Sequence, residues 1–286
     1  MNSVMQCLYH TCTLAERLKK LENDKTLGRV LMATVKVMAD LHYHRNMRES
    51  ITHLKRVVGQ KDSVYRDSEQ KEAHDFLCQM LVWLDEDTTL SSKEGEEAEK
   101  NGKRVSFIAS LFHGTHLSTI TCEKEPKVDI ITNEESFSNL SLTLTRPTTL
   151  QEALKQYYQP QGLEWDCDRC HTEHDCQHKI SLTKAPPVLV LHLNRSSASP
   201  NSEHKLRVRY PLDLVVDVNS AGSSKRYYSL FAVCCHSGTM HSGHYTALCR
   251  TGEQWYHFND THVSPIALED VLHKPAAHIL FYEAKE

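Results

Sequence analysis

The hydrophobic pattern of this chain changes its period once, across the charged segment 88–104, TTLSSKEGEEAEKNGKR. Before that segment, apolar residues recur every three or four positions, which is the spacing of one helix face. After it, short stretches alternate between apolar and polar residues, which is the period of strands. The sequence therefore predicts an α+β protein, with a helical block, a mostly antiparallel block and a groove between them. We expect 88–104 itself to be a mobile surface loop.

Three helices are predicted before this segment. The first is expected as one helix whose buried face carries Val4, Cys7, Leu8, Leu14, Leu18 and Leu21. The second covers 28–44, GRVLMATVKVMADLHYH, and the third covers 69–87, EQKEAHDFLCQMLVWLDED. After the segment, strands are expected over 114–122, 136–144 and 181–195, with one helix at 148–158 capped by Thr148 or Thr149.

The composition narrows the class of protein. The chain has 286 residues, is 40% hydrophobic and carries a formal charge of −4, which is too weak a field to favour nucleic acid or an anionic membrane. No secretion signal or long apolar run is visible, so we expect an intracellular protein, cytoplasmic or nuclear, that binds proteins and is a monomer. In a reducing compartment its ten cysteines would bind metal, act in catalysis or be buried.

A candidate catalytic base lies in the C-terminal block. His244 follows Gly243 in a strand-like stretch, and Asn259 and Asp260 lie one hairpin's length downstream. A histidine oriented through one ring nitrogen can act as a base through the other. Since the chain contains 19 histidines, an ordinary structural histidine is the competing interpretation.

Several segments resemble one family. YSLFAVCCHSGTMHSGHYTALCR and WYHFNDTHVS resemble the His box of the ubiquitin-specific proteases, papain-like cysteine peptidases that cleave ubiquitin from its conjugates. QKEAHDFL resembles the family's Gln-Asp-Ala-x-Glu-Phe box, and PPVLVLHLNR and HKLRVRYPLDLVV resemble two further blocks in the same order. MNSVMQCL resembles the end of the Cys box.

The resemblance implies roles for individual residues. His244 would be the general base, oriented by Asn259 and assisted by Asp260. A second group would line the channel that holds the basic ubiquitin tail, namely Gln70, Glu72, Asp75, His241, Gly243 and Tyr245. In the family the first acid of the box is Asp and the second is Glu, so Glu72 and Asp75 exchange these lengths. A solvated acidic helix start is the alternative interpretation of these carboxylates.

The nucleophile is expected to be missing. In the family the catalytic cysteine stands two positions before the equivalent of Met1, and an oxyanion-hole Asn stands further upstream. Cys7 and Cys12 are expected to be structural thiols on the first helix, and Cys235 points away from its neighbour His236. The chain as printed is therefore expected to be inactive, and a shorter isoform, an incomplete gene model or a natural pseudoenzyme are the three alternatives.

No cofactor is expected for catalysis, but a structural zinc site is a candidate. Cys167 and Cys170 form a Cys-x-x-Cys knuckle, and the partner knuckle is reduced to Cys122, with Glu125 in place of its second cysteine. These three cysteines with a carboxylate or a nearby histidine could hold zinc. The alternative is a metal-free tip, which also occurs in the family.

The resemblance also implies a single domain shaped like a right hand. Its parts would be a helical thumb (1–104), β fingers (105–182) and a β palm (183–286), with the His box at 227–264. Ubiquitin and ubiquitinated proteins are the implied partners, and a deubiquitinating cysteine protease is the implied function. A non-catalytic ubiquitin-binding module is the alternative, while a metal-dependent hydrolase would need a motif such as His-Glu-x-x-His, which the sequence lacks.

Overall fold

The computed structural model describes residues 1–67, 69–90, 99–100, 103–104, 106–122, 129–167, 172–195, 206–219, 223–239 and 242–285. The α-helices are α1 Asn2–Tyr9, α2 Cys12–Lys20, α3 Arg29–His42, α4 Arg48–Lys61, α5 Ala73–Leu90, α6 Phe107–Phe112, α7 Leu150–Tyr157 and α8 Leu268–Leu272. The strands are β1 Glu99–Lys100, β2 Lys103–Arg104, β3 Gly114–Cys122, β4 Asp129–Phe137, β5 Leu140–Thr143, β6 Thr148–Thr149, β7 Gln161–Cys167, β8 Thr172–Lys184, β9 Val188–Asn194, β10 Val208–Arg209, β11 Asp213–Asn219, β12 Ser223–Thr239, β13 Ser242–Thr251, β14 Gln254–Asn259, β15 His262–Ile266 and β16 Ala277–Ala284.

The prediction of a single first helix from the apolar spacing is wrong. The chain breaks at Thr11, whose ψ of 93° is extended, so α1 and α2 are separate helices. The last turn of α1 is closed by side chains: the ring of His10 hydrogen-bonds Gln6 O and the Thr11 hydroxyl donates to Cys7 O. Such local bonds compete with continuation of the helix. Cys12 therefore begins a second helix.

The other predicted helices are present, with shifted ends. α3 matches the prediction over 28–44, and α5 begins four residues later than predicted and runs to Leu90. α4, α6 and α8 were not predicted. Within the segment expected to be a loop, Glu99–Lys100 pairs with Lys103–Arg104. Thr149 caps α7, as predicted, and Glu152 completes a capping box with it that was not predicted.

A large mixed sheet forms the centre of the fold. Its order is β15-β14-β13-β12-β16-β9-β5, with β11 also paired to β12. All neighbours are antiparallel except β5 and β9, which are parallel. A second antiparallel sheet has the order β4-β3-β8-β7, and the short strands β6 and β10 pair in parallel.

Two apolar cores lie on opposite faces of the large sheet. One contains the buried faces of α1 to α6 together with residues such as Val190, Cys234 and Phe281. The other contains α7, β11 and the alternate residues of the same strands, such as Leu191, Cys235 and Tyr282. Because successive strand residues point to opposite faces, a single strand such as β16 contributes to both cores.

The division into thumb, fingers and palm stays a prediction. α6 lies beyond residue 104 but packs in the same core as α1 to α5. β5 lies within 105–182 but is the outer strand of the large sheet. The four-stranded sheet corresponds to the segment that we expected to form fingers.

Candidate active site

Two strand ends bring the predicted base and its orienting residue together. His244 lies near the start of β13 and Asn259 is the last residue of β14, which pairs with β13. His244 Nε2 is 2.6 Å from Asn259 Oδ1. A turn of two residues joins β14 to β15, and Asp260 adopts a φ of 52° in it. That turn places Asp260 Oδ2 3.8 Å from His244 Nε2.

This geometry fixes the tautomer of His244. An amide oxygen only accepts hydrogen bonds, so Nε2–H donates to Asn259 Oδ1. Nδ1 then carries a lone pair and can take a proton. The imidazole side chain is half exposed, with a relative exposure of 50%, and is thus open to a reacting group. The pair has the arrangement of a base and its orienter, as sequence analysis predicted.

The amino-terminal end of α1 points toward the same end of the sheet. α1 packs on β13 and β14, with Ser3 and Cys7 beside Cys234 and Cys249. The amino group of Met1 is buried, and burial lowers its pKa. The negative charge of Asp260 acts on this amino group in the opposite sense. The start of α1 therefore lies within electrostatic reach of the His244 site.

Gln70 connects the helical layer to the loop before His244. Gly243 N–H donates to Gln70 Oε1 at 2.7 Å, and Gln70 Nε2 lies 3.3 Å from His236 Nε2. A Cβ on Gly243 would come within 2.3 Å of His236 Nε2 and 2.8 Å of Ser237 O. Only glycine allows this close approach. Gln70 therefore holds Gly243 at a position that a larger residue could not occupy.

Glu72 lies in the groove between α5 and the sheet. Its Oε2 accepts from Asp75 N at 2.8 Å, which caps the start of α5, and Oε1 accepts from the Tyr245 hydroxyl at 3.3 Å. Oε1 also hydrogen-bonds His278 Nε2. Burial by itself raises the pKa of Glu72, but the contacts with His278 and Asp75 N–H overcome it and hold the pKa at about 2.

Asp75 differs from Glu72 in its surroundings. Its side chain has a relative exposure of 76%, and its carboxylate is 4.0 Å from His74 Nδ1. The structure thus brings Gln70, Glu72, Gly243 and Tyr245 together and leaves Asp75 at the solvent edge of α5. His241 lies outside the described residues.

A histidine cluster that was not predicted from the sequence surrounds Glu72. His192 stacks on His74 with ring centroids 3.9 Å apart and meets His278 edge-on at 4.8 Å. Burial, followed by the charges of His74 and His278, lowers the pKa of His192 to about 3. The available signal was the histidine inside the apolar run VLVLHL of β9. His278 gave no comparable signal, because a register shift between β12 and β16 determines its direction.

Cys78 makes contacts that resemble a catalytic triad but cannot act as one. Its Sγ is 3.4 Å from His74 Nε2, and the same Nε2 is 2.8 Å from Asn139 Oδ1. A base needs one nitrogen for the orienting group and the other for the thiol, whereas here one atom meets both. Burial also raises the pKa of Cys78 to about 11, which disfavours a thiolate.

The cysteines considered from the sequence are also poor nucleophiles. Cys7 and Cys235 are buried, and burial raises the pKa of both thiols. Cys12 is exposed as a residue. Partial burial of its thiol, followed by the negative charge of Glu283, nevertheless raises the pKa of that thiol. Among the described residues no thiol is hydrogen-bonded to His244.

The zinc ligands proposed from the sequence are described only in part. Cys122 ends β3 and is buried opposite Cys176 of β8. Cys167 ends β7, while Cys170 lies outside the described residues. The zinc site therefore stays a prediction.

The comparisons with known proteins identify the family. The family model for ubiquitin carboxyl-terminal hydrolase matches residues 1–282. The chain belongs to the ubiquitin carboxyl-terminal hydrolase family. Within it, the segments noted in the sequence place the chain with the ubiquitin-specific protease domains, as predicted.

Individual relatives agree with this placement. Ubiquitin carboxyl-terminal hydrolase Usp2 of Drosophila melanogaster is 28% identical over 99% of this chain, which spans 33% of that relative. Human ubiquitin carboxyl-terminal hydrolase 2 is 30% identical over 99% of the chain and 53% of the relative. Bovine ubiquitin carboxyl-terminal hydrolase 21 is 34% identical over 62% of the chain and 34% of the relative. The chain thus spans a third to a half of the length of these relatives.

The fold matches a solved structure over its whole length. The SAGA Ubp8/Sgf11/Sus1/Sgf73 DUB module bound to ubiquitin aldehyde aligns with a TM-score of 0.81 and 24% identity, over 100% of this chain and 67% of that chain. The predicted α+β, papain-like fold is therefore confirmed. In the described ranges no helix is long and apolar enough to cross a membrane.

Proposed function

We propose that this chain belongs to a deubiquitinating cysteine protease domain in which His244 is the general base and Asn259 orients it. The observation that carries this proposal is the 2.6 Å contact between His244 Nε2 and Asn259 Oδ1, which leaves Nδ1 for a thiol. The family match over residues 1–282 supports ubiquitin as the substrate class.

The reaction requires a cysteine within reach of His244 Nδ1, and the family resemblance implies a position two residues before the equivalent of Met1. His244 Nδ1 would take the thiol proton, and the sulfur would attack the carbonyl carbon of the last ubiquitin glycine. The C–N bond breaks as the imidazolium returns its proton to the leaving amine, which leaves a thioester. Water, deprotonated by His244, then hydrolyses the thioester and restores the thiol. Asn259 keeps the ring in the productive tautomer throughout.

The groove beside this pair fits a role in holding the ubiquitin tail. Glu72 keeps a negative charge there at neutral pH, and Gln70 connects α5 to the strand that carries His244. A carboxylate in such a groove can pair with the basic side chains of the tail. Binding of the tail would thus depend on Glu72, while proton transfer would depend on His244.

A non-catalytic ubiquitin-binding module is the second candidate. It is favoured by the absence, in the part of the chain that the structure describes, of any thiol hydrogen-bonded to His244. The printed chain by itself would then bind ubiquitin without cleaving it.

One experiment separates these candidates. Turnover of a fluorogenic amide at the ubiquitin C-terminus would be measured for the printed chain and for a version extended by Gly-Asn-Thr-Cys-Tyr before Met1. We expect turnover only in the extended version, and a loss of about 100-fold or more when His244→Ala is added. His273→Ala, at the residue that follows α8, is the matched control and should leave turnover unchanged.

Other outcomes would change the assignment. Turnover by the printed chain would mean that one of its own thiols serves His244, which contradicts the geometry given above. If neither version turns over the amide but both still bind ubiquitin in a calorimetric titration, the binding module is favoured. Unchanged turnover in the extended His244→Ala variant would remove His244 as the base.

A further inference from the structure

Three side chains from distant parts of the sequence converge in the groove beside α5. They are Glu72 just before α5, His192 in β9 and His278 in β16. One ligand atom from each lies within 4.8 Å of the ligand atoms of the other two. Two imidazoles and one carboxylate are a donor set that divalent transition metals use in proteins.

Two of the three side chains, those of His192 and Glu72, are oriented by a partner outside the cluster. His192 Nδ1 is 3.0 Å from Ser141 Oγ, so its Nε2 is left to face the cluster. Glu72 Oε2 accepts from the Asp75 backbone N–H, and Oε1, which also accepts from the Tyr245 hydroxyl at 3.3 Å, faces His278. Partners of this kind fix the ring and carboxylate directions in metal sites.

The backbone adds a further reason for the convergence. Ile279 pairs with Cys234 and Ala277 pairs with Cys235, so His278 is an extra residue in β16 with no partner in β12. Such a bulge redirects a side chain from its regular strand direction. Here it brings His278 to the face of the sheet that carries His192 and to the carboxylate of Glu72.

The size of the cluster suits a small ion after a modest adjustment. Metal bonds of about 2.0–2.2 Å place neighbouring ligand atoms roughly 3.3–3.5 Å apart. Changes of about 1 Å in side-chain position are therefore enough, and the ion replaces the proton shared by Glu72 and His278. Glu72 and His278 have side-chain exposures of 37% and 15%, so an ion can enter from the groove and keep a water as its fourth ligand.

We propose that Glu72, His192 and His278 form a binding site for a divalent transition metal ion, with Zn²⁺ as the best match to the donor set. The site differs from the cysteine site expected in the four-stranded sheet, since its ligands are nitrogen and oxygen atoms. It does not rest on the proposed protease function. An ion there would hold Glu72 to the sheet and take the carboxylate away from any basic peptide in the groove.

The test uses Co²⁺ as a spectroscopic probe of the whole chain carrying Cys167→Ser and Cys170→Ser, which removes the predicted cysteine knuckle. We expect visible d–d bands without a sulfur-to-cobalt charge-transfer band, and displacement of the bands by Zn²⁺. His192→Gln and His278→Gln should each weaken Co²⁺ binding by about tenfold or more. His273→Gln, at the residue that follows α8, is the matched histidine control and should bind Co²⁺ as the parent does.

Folding of each variant would be checked by circular dichroism and thermal unfolding in the presence of a chelator. In the parent, saturating Zn²⁺ should raise the midpoint of thermal unfolding, because the ion binds the folded chain only. This rise should vanish in the folded His192→Gln and His278→Gln variants. The proposal is overturned if the folded parent gives no d–d bands, or if these two variants bind Co²⁺ as tightly as His273→Gln.

Discussion

At the scale of single residues, Gly243 of the candidate site has no room for a side chain. Its N–H donates to Gln70, and an added Cβ would lie 2.3 Å from His236 Nε2. We expect Gly243→Ala to lower the free energy of unfolding by about 1–3 kcal/mol, because the imidazole or the backbone must move. Gly162→Ala is the control, since nothing lies within 4 Å of its Cβ position. Urea unfolding measures both, and equal stabilities would contradict the close approach.

A second residue makes stability depend on pH. His116 is 4% exposed and stacks on Phe137, and burial lowers its pKa from 6.5 to about 4. It is therefore neutral in the fold but takes up a proton below about pH 6.5 when unfolded. Its contribution is complete above that pH and is lost as the pH falls toward about 4, at up to roughly 1.4 kcal/mol per pH unit.

His116→Gln tests this expectation because glutamine keeps a hydrogen bond to Tyr158 but does not titrate in this range. Between about pH 6.5 and pH 5 the variant should lose about 2 kcal/mol less stability than the parent. Denaturant unfolding at the two pH values measures the difference. Parallel losses in the two proteins would show that His116 is not the titrating group.

At the scale of helices and strands, a contact between two helices caps α3. The Asp87 carboxylate on α5 accepts from Val30 N at 3.0 Å and from Leu31 N at 2.9 Å, and it is buried. We expect Asp87→Ala to cost about 2–3 kcal/mol, since two buried N–H groups lose their acceptor. Asp87→Asn keeps one acceptor oxygen and should cost less.

The control for this cap is Asp62→Ala, which removes an acceptor from the exposed Val64 N. Its cost should stay below about 1 kcal/mol. The two alanine variants would be compared by thermal unfolding. Equal costs would show that water replaces the Asp87 carboxylate at the start of α3.

These elements also show how far sequence reasoning reaches. The cap of α7 by a threonine, the strand Gly114–Cys122 and the contact of His244 with Asn259 were all predicted, because each depends on local pattern or on one hairpin. The Asp87 cap joins residues 57 positions apart, and no local pattern records it. The break at Thr11 was missed because apolar spacing continues through it.

The cluster of Glu72, His192 and His278 was not predicted for the same reason, since its residues lie even farther apart in the sequence. The sequence separation of Glu72 and His278 is 206 residues, and a bulge decides where His278 points. The order of strands in a sheet and the position of a bulge follow from tertiary packing. Motif spacing along the chain therefore predicted the contact between His244 and Asn259 but not this second group.

At the scale of the whole molecule, the large sheet joins two cores that lie on its opposite faces. Phe281 and Tyr282 are consecutive, fully buried residues of β16, and they belong to different cores. Damage to one face therefore distorts the strand that supports the other. We infer that the helical layer and the sheet unfold together, although a chain of 286 residues exceeds the usual size of a two-state domain.

Phe281→Ala tests this coupling, with an expected cost of about 3–5 kcal/mol. Trp83 reports on the helical core and Trp255 on the opposite core, so variants that keep one of the three tryptophans as the sole fluorophore follow each core separately. In urea, both probes should show one transition, and Phe281→Ala should move both midpoints equally. If only the Trp83 midpoint moves, the two cores unfold independently and the sheet does not couple them. Equal movement would mean that a substitution in the helical core changes the stability of the strands that hold His244 and Asn259.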